Sequence, residues 1–129
     1  MKYRYSAADA NTFHKYGVDI TSYDLSLEGC NVVFESTETG HFEEFYSDLS
    51  TYIWFIIEGK GTYVIDDEHI DVSAKDIVVA PPKHRIHYFG KMKMLLVTTP
   101  PFNEQHEHHV RDVPLEESPY AKDAKRKTL

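Results

Sequence analysis

The chain alternates apolar and polar positions over most of its length. The stretches "CNVVFESTE", "GHFEEFYS", "TYIWFIIEG", "GTYVIDD", "EHIDVSA", "KDIVVAPP", "RIHYFG" and "KMKMLLVTT" are short and rich in aromatic and β-branched residues, and Gly, Pro, Asp or Ser breaks them at close intervals. A period of two between such breakers predicts strands, and strands this short and closely spaced predict an all-β, antiparallel double-sheet barrel. The clearest local unit is "TYVIDDEHIDV", two alternating strands joined across Asp66-Asp67-Glu68 in a hairpin turn that acidic residues tolerate. Ahead of the strands the text is mixed, with "NTFHKYG" as a helical turn stopped by Gly17. Behind them, from Gln105, charge, Pro and small residues replace the alternation. The expected organisation is one barrel domain over 1–104 with an N-terminal extension, and a surface extension over 105–129 that ends in a disordered tail.

Two strands carry more than a fold signal. In "TYIWFIIEG", Tyr52, Trp54 and Ile56 share one face and Ile53, Phe55 and Ile57 the other, so both faces are apolar. A chain too small for three layers is then expected to cover the outer face with a second subunit, as a homodimer, or with a folded-back terminal strand. In "GHFEEFY", Phe42, Glu44 and Tyr46 lie on one face and His41, Glu43 and Phe45 on the other. Placing Glu44 and Tyr46 inward beside Tyr52 and Trp54 gives an aromatic pocket with one carboxylate and two phenols.

Composition narrows the partners. A chain of 129 residues is about one domain, and its formal net charge of -7 argues against a nucleic-acid or membrane-surface binder, which needs a basic face. The single cysteine, Cys30, rules out an internal disulfide and paired-thiolate zinc sites. The N-terminus lacks a signal peptide's apolar core, and the longest apolar run, Ile53 to Ile57, is too short to span a bilayer. A cytoplasmic protein that binds a small molecule is the expectation.

The order of elements in "YIWFIIEGKGTYVIDDEHIDVSAKDIVVAPPKHRIHYF" resembles the core of a cupin: an apolar strand ending in E-G-x-G, a hairpin, a valine-rich strand, then Pro-Pro and a histidine. The likeness covers about residues 32 to 99 and implies a jelly-roll barrel, while leaving the activity open, because cupins perform many reactions. Most enzymatic cupins hold a divalent metal through histidines and a glutamate. By the resemblance those positions fall here on Glu44, Tyr46, Tyr52 and Ile86, so the usual ligand set is missing. No metal or cofactor is therefore expected, with a non-standard divalent site as the alternative. His87 lies one place past the ligand position, which turns it outward unless a β-bulge re-aims it.

From these readings Glu44, Tyr46 and His87 are the candidate catalytic residues. Tyr52, Trp54, Arg85 and Tyr88 are the candidate ligand-binding residues, with Arg85 and His84 at the rim of the barrel in "PPKHRIHY". The expected function is binding of a small polar, carbohydrate-like molecule in the lumen. Metal-independent isomerase, epimerase or lyase chemistry extends that reading, because a desolvated carboxylate beside a phenol and an imidazole can act near neutral pH. A sensor, an assembly module and an atypical metal-dependent enzyme are the alternatives. "HEHHV", His106 to Val110, reads as a solvated polar segment rather than a metal site.

Overall fold

The protein's structure, a computed structural model that describes residues 2–121, contains nine strands: β1 (Asn11–Lys15), β2 (Val18–Ser22), β3 (Asn31–Thr37), β4 (Gly40–Ser47), β5 (Thr51–Ile65), β6 (Glu68–Ser73), β7 (Ile77–Ala80), β8 (Ile86–Thr99) and β9 (Glu107–Asp112). All pairings are antiparallel, in the order β1-β2-β3-β8-β4-β9, with β5 pairing β6, β7 and β8. The fold is the curled, double-layered barrel that the alternation predicts.

Two long strands make the curl. β5 is 15 residues long and β8 is 14, and they pair along nearly their whole length. Each serves both layers: the first part of β5 pairs β7 and the second β6, while β8 pairs β4 near its start and β3 towards its end. The sheet turns where Gly61 opposes Gly90. Gly90 has φ +121°, and a Cβ there would lie 2.5 Å from the Lys60 carbonyl oxygen, so no side chain fits at this crossing.

The Asp66-Asp67 hairpin forms as expected, both residues taking positive φ (49° and 69°) with Ile65 opposite Glu68. The same device overturns the helical turn expected at "NTFHKYG". Tyr16 and Gly17 have φ of 51° and 97° between Lys15 and Val18, so the segment is a second hairpin, β1–β2, laid along β3. The stretch after Gln105 also differs from expectation, because Glu107–Asp112 is a strand paired with β4. Asp48 fastens its start, lying 2.7 Å from both the His106 and the His108 ring nitrogens. The disordered end expected for the tail falls on 122–129, outside the described residues.

Between the layers pack Tyr52, Trp54, Ile56, Tyr63, Ile86, Tyr88, Met92 and Met94, all buried. Trp54 and Tyr63 have ring centroids 5.2 Å apart, and Tyr63 stacks on Tyr88 at 4.7 Å. At roughly 1.5–3 kcal/mol for each large apolar side chain buried, this row is a main source of barrel stability. A second cluster, Val64, Phe89 and Val113 with Phe42 and Tyr120, lies outside the barrel under the C-terminal segment. On the outer face of β5 and β7, Phe55, Ile57, Ile77 and Val79 are exposed, on the face where the sequence leads one to expect a second subunit. Among the described residues no helix is long and apolar enough to cross a membrane.

Candidate functional site

The barrel encloses a cavity of about 470 Å³, within the range of small-molecule sites. Its aromatic lining comes from Phe45 on β4, Tyr52 and Trp54 on β5 and Tyr88 on β8. The mouth adds two half-exposed rings, Phe13 of β1 and Phe102 of the segment after β8. The polar lining is sparse, with His41, Glu35 and a group formed by Lys15, Glu107 and Tyr52 as its ionisable core.

His41 is buried between the rings of Tyr88, stacked at 5.3 Å, and Phe45, edge-on at 5.1 Å. Its Nδ1 lies 2.9 Å from the carbonyl oxygen of Glu43. A carbonyl only accepts, so Nδ1 carries the hydrogen and the neutral ring presents an unprotonated Nε2. Burial lowers the imidazole's pKa to about 4, and the positive charges of Lys15 and His87 push the same way against the Glu43 carbonyl bond. At neutral pH His41 is a free base.

Glu35 stands on β3 at 6% exposure. Trp54 donates its indole N–H to Oε1 at 3.0 Å, and the Tyr88 hydroxyl reaches the same oxygen at 3.5 Å. Both bonds go to Oε1, and among the described residues no cation bonds the carboxyl. Burial raises the carboxyl's pKa to about 7, against the opposing effect of the two neutral donors. Near neutrality it therefore holds its proton about half the time.

A third group bridges three elements. The Tyr52 hydroxyl donates to Glu107 Oε2 at 2.5 Å, and Lys15 Nζ donates to Oε1 at 3.3 Å. This ties β5, β9 and β1 together across the lumen. Burial, then the charge of Glu107, raises the Tyr52 pKa, so the phenol stays protonated.

The candidates named from the sequence divide between two faces. Tyr52, Trp54 and Tyr88 line the cavity. Glu44, Tyr46, His87 and Arg85 do not. Glu44, 1% exposed, receives Arg85 Nη1 and Arg111 Nε at 3.3 Å each. His87 Nδ1 lies 3.5 Å from Glu44 Oε2 without a hydrogen bond, and its ring packs edge-on against Phe89 of the outer cluster. Burial lowers the His87 pKa, with Glu44 opposing it. Tyr46 stacks on His108 of β9. The inward face of β4 is thus that of His41 and Phe45, the reverse of the placement expected for Glu44 and Tyr46. The physical reason is that β9 and the residues after it bury the outer face of β4, so burial and apolar neighbours mark both faces equally.

Sequence reasoning also passed over Glu35, Lys15 and Glu107. Glu35 was findable, since it shares the face of Asn31 and Val33 in "NVVFE", which is the lumen face. Lys15 and Glu107 were not, because each lies in a segment read as something other than a strand. Among the described residues no group of three or more His, Cys, Asp or Glu is arranged to hold a metal ion. The lumen offers one imidazole, the carboxyl groups of Glu35 and Glu107 already bonded to Trp54, Tyr88, Tyr52 and Lys15, and the exposed carboxyl of Glu104, a donor set that does not fit the histidine-rich site of metal-binding cupins.

Comparison with known proteins gives the same architecture. The chain is 41% identical to Pac13, a nucleoside dehydratase with structures from Streptomyces, covering 93% of this chain and 100% of that one with a TM-score of 0.90. Structures of Pac13 variants, one replacing a histidine and two others each replacing a tyrosine, contain uridine. Oxalate decarboxylase from Bacillus subtilis shares the fold at 17% identity and a TM-score of 0.73, over 97% of this chain and 36% of that one. KdgF from Halomonas does so at 11% identity and a TM-score of 0.68, over 81% and 98%. An uncharacterised protein of Methanocaldococcus jannaschii is 33% identical over 57 residues, 41% of this chain and 46% of that relative, so the match spans about half of the relative's length. No family model matches the chain. At 41% identity over 93% of its length the chain belongs to the same family as Pac13, and its fold is the barrel of the cupins, shared with an RmlC-like cupin from Shewanella frigidimarina at 13% identity and a TM-score of 0.66, over 81% of this chain and 96% of that one.

Proposed function

We propose that the protein binds a nucleoside in its lumen and eliminates water from the sugar, with His41 as the base and Glu35 as the acid. The observation that carries this reading is the pairing, in one cavity, of an unprotonated imidazole with a carboxyl that has only neutral hydrogen-bond donors. Elimination of water breaks one C–H and one C–O bond and forms a C=C bond. A base takes the carbon-bound proton and an acid gives one to the departing hydroxyl. Nε2 of His41 is open for the first task, and Glu35 keeps a proton available near neutral pH for the second.

The rest of the lining suits the two halves of such a ligand. Trp54, Tyr88, Phe13 and Phe102 offer flat area to a planar base. Tyr52, Lys15 and Glu107 offer donors and acceptors to sugar hydroxyls. Likeness to Pac13 supports the substrate class, and the lumen has the same residue types that its variants alter, a histidine and tyrosines.

Calorimetry with uridine and other nucleosides, followed by mass spectrometry for loss of one water from nucleosides and their oxidised derivatives, tests the reading. We expect a nucleoside to bind and one of the panel to lose water. His41→Gln should abolish turnover and keep binding. Absence of binding by every nucleoside tried would overturn the substrate class, and full turnover by the His41→Gln enzyme would overturn the assignment of the base.

A further inference from the structure

Glu43 Oε1 is one of two buried side-chain polar atoms among the described residues without a hydrogen-bond partner. An orphaned carboxylate oxygen at 5% residue exposure is costly and calls for a physical explanation. Its neighbour is the base of the lumen: Oε1 lies 3.9 Å from His41 Nε2. The other oxygen, Oε2, is 2.8 Å from Nδ1 of His109, a half-exposed residue of β9 whose Nε2 is 3.6 Å from Asp112. Tyr16 packs beside both rings, at 6.0 Å from His41 and 6.2 Å from His109. The carboxylate therefore stands between an imidazole that opens to the lumen and one that opens to solvent.

Resting on the reading of His41 as the lumen's base, we propose that Glu43 is its positioning residue, fixing the tautomer through its backbone carbonyl and balancing through Oε1 the charge the ring gains on taking a proton. His109 holds the carboxylate in place by its second oxygen. At rest His41 is neutral and Oε1 has nothing to bond. Once a proton reaches Nε2, the ring becomes a cation within 3.9 Å of an anion already in position, in surroundings where water screens little.

Lys15 of β1, Tyr16 of the first hairpin, Phe45 of its own strand and Tyr88 of β8 stand around the ring as well, and His87, on the outer face of β8, acts on it through its charge when protonated. Of these, Lys15 and His87 bring positive charge, which opposes imidazolium formation. Glu43 is the anion that counters them.

The test is an NMR titration of the His41 ring in the full chain, beside kcat and KM where turnover is found. Glu43→Gln keeps the volume and removes the charge, so the His41 midpoint should fall by about one pH unit. With it kcat should drop about a hundredfold at a KM within about twofold of wild type, and the acid limb of kcat/KM should move to lower pH. His109→Ala alters only a half-exposed side chain, and by releasing Oε2 and removing a nearby ring it should raise the His41 midpoint by about half a unit. An unchanged His41 midpoint in either variant overturns the proposal whether or not the protein proves to be a dehydratase. A wild-type enzyme inert to every nucleoside, with both midpoints moving as stated, overturns the substrate reading alone.

Discussion

Two glutamates, Glu35 and Glu44, are buried to nearly the same degree on opposite faces of one curled sheet, and their surroundings differ in sign. Around Glu44 stand two guanidinium groups and an imidazole, and Arg111 continues into a two-pronged bond with Glu117 at 3.0 Å. Glu35 has an indole N–H and a phenol, both neutral. A buried carboxylate with a guanidinium on each oxygen works as a clamp, here fastening the C-terminal segment to the barrel. One with neutral donors keeps a proton near neutrality. Burial alone marks neither role; the charge of the neighbours does.

The largest expected effect separates the two by activity. Glu35→Gln keeps the shape and the bonds to Trp54 and Tyr88 but removes the transferable proton. It should lower kcat by about 10²- to 10⁴-fold with nucleoside affinity little changed. Glu44→Gln should leave kcat within about threefold of wild type, because its partners lie on the outer face. Steady-state kinetics on the two variants decides the matter, and equal losses would dissolve the distinction.

A difference in pH-dependent stability should come next. The folded Glu35 carboxyl has a pKa raised from 4.5 to about 7, so the unfolded chain loses this proton first as pH rises. The group's stabilising contribution is fully present below 4.5 and is lost by about 7, on the order of 3 kcal/mol. His41, lowered from 6.5 to about 4, runs the other way: its contribution is present above 6.5 and lost as pH falls towards 4. Between those limits the two trends oppose each other, and wild-type stability should change little. Glu35→Gln removes the falling trend, so urea unfolding of this variant should show stability rising with pH across the window. A variant profile with the same pH dependence as wild type would mean that Glu35 titrates at its ordinary value, and a flat one in the variant that His41 does.

How much of this was legible in the sequence follows from the same two faces. The positions of the strands from β3 to β8, the Asp66-Asp67 hairpin and the inward set Tyr52, Trp54 and Ile56 were readable, because alternation and turn chemistry are local, but β5 and β8 each read as two strands broken at a glycine where the structure has one continuous strand. The phase of β4 was not. Glu44 and Tyr46 share a face, as their spacing requires, but that face is covered by β9, a strand whose polar run "HEHHV" conceals its pairing. The apolar code that marks inside from outside fails where a strand is buried on both sides. β1 was lost for a related reason: Tyr16-Gly17 reads as a helix stop until a neighbouring strand shows it to be a hairpin loop. Lys15 and Glu107 went unnoticed with the segments that carry them.

The clamp should show itself in stability. Glu44→Gln places a neutral amide before Arg85 and Arg111, each a little over a third exposed, so water recovers part of the loss. A cost of about 2 kcal/mol by chemical denaturation is expected, below the full penalty of a broken buried pair. Glu35→Gln at pH 7 should cost nothing or stabilise, since it removes a carboxyl whose charged form is disfavoured there. Opposite signs for one substitution at two equally buried sites would sharpen the contrast, and matching losses would show that both carboxylates are structural.

The smallest effect concerns the group between the two faces. Glu107 accepts a hydrogen bond from the Tyr52 hydroxyl inside the lumen and another from Lys15, half-exposed on β1, so it has one neutral and one cationic partner. By the logic separating Glu35 from Glu44 it should be part clamp and part binding group. Tyr52→Phe leaves Glu107 with Lys15, and the carboxylate, 14% exposed, can turn to solvent. About 1 kcal/mol of stability should be lost, the net value of one such bond. Nucleoside affinity should fall about fivefold if the phenol also meets a sugar hydroxyl, with kcat nearly unchanged. A loss confined to kcat would instead move Tyr52 into the proton transfers assigned to His41 and Glu35.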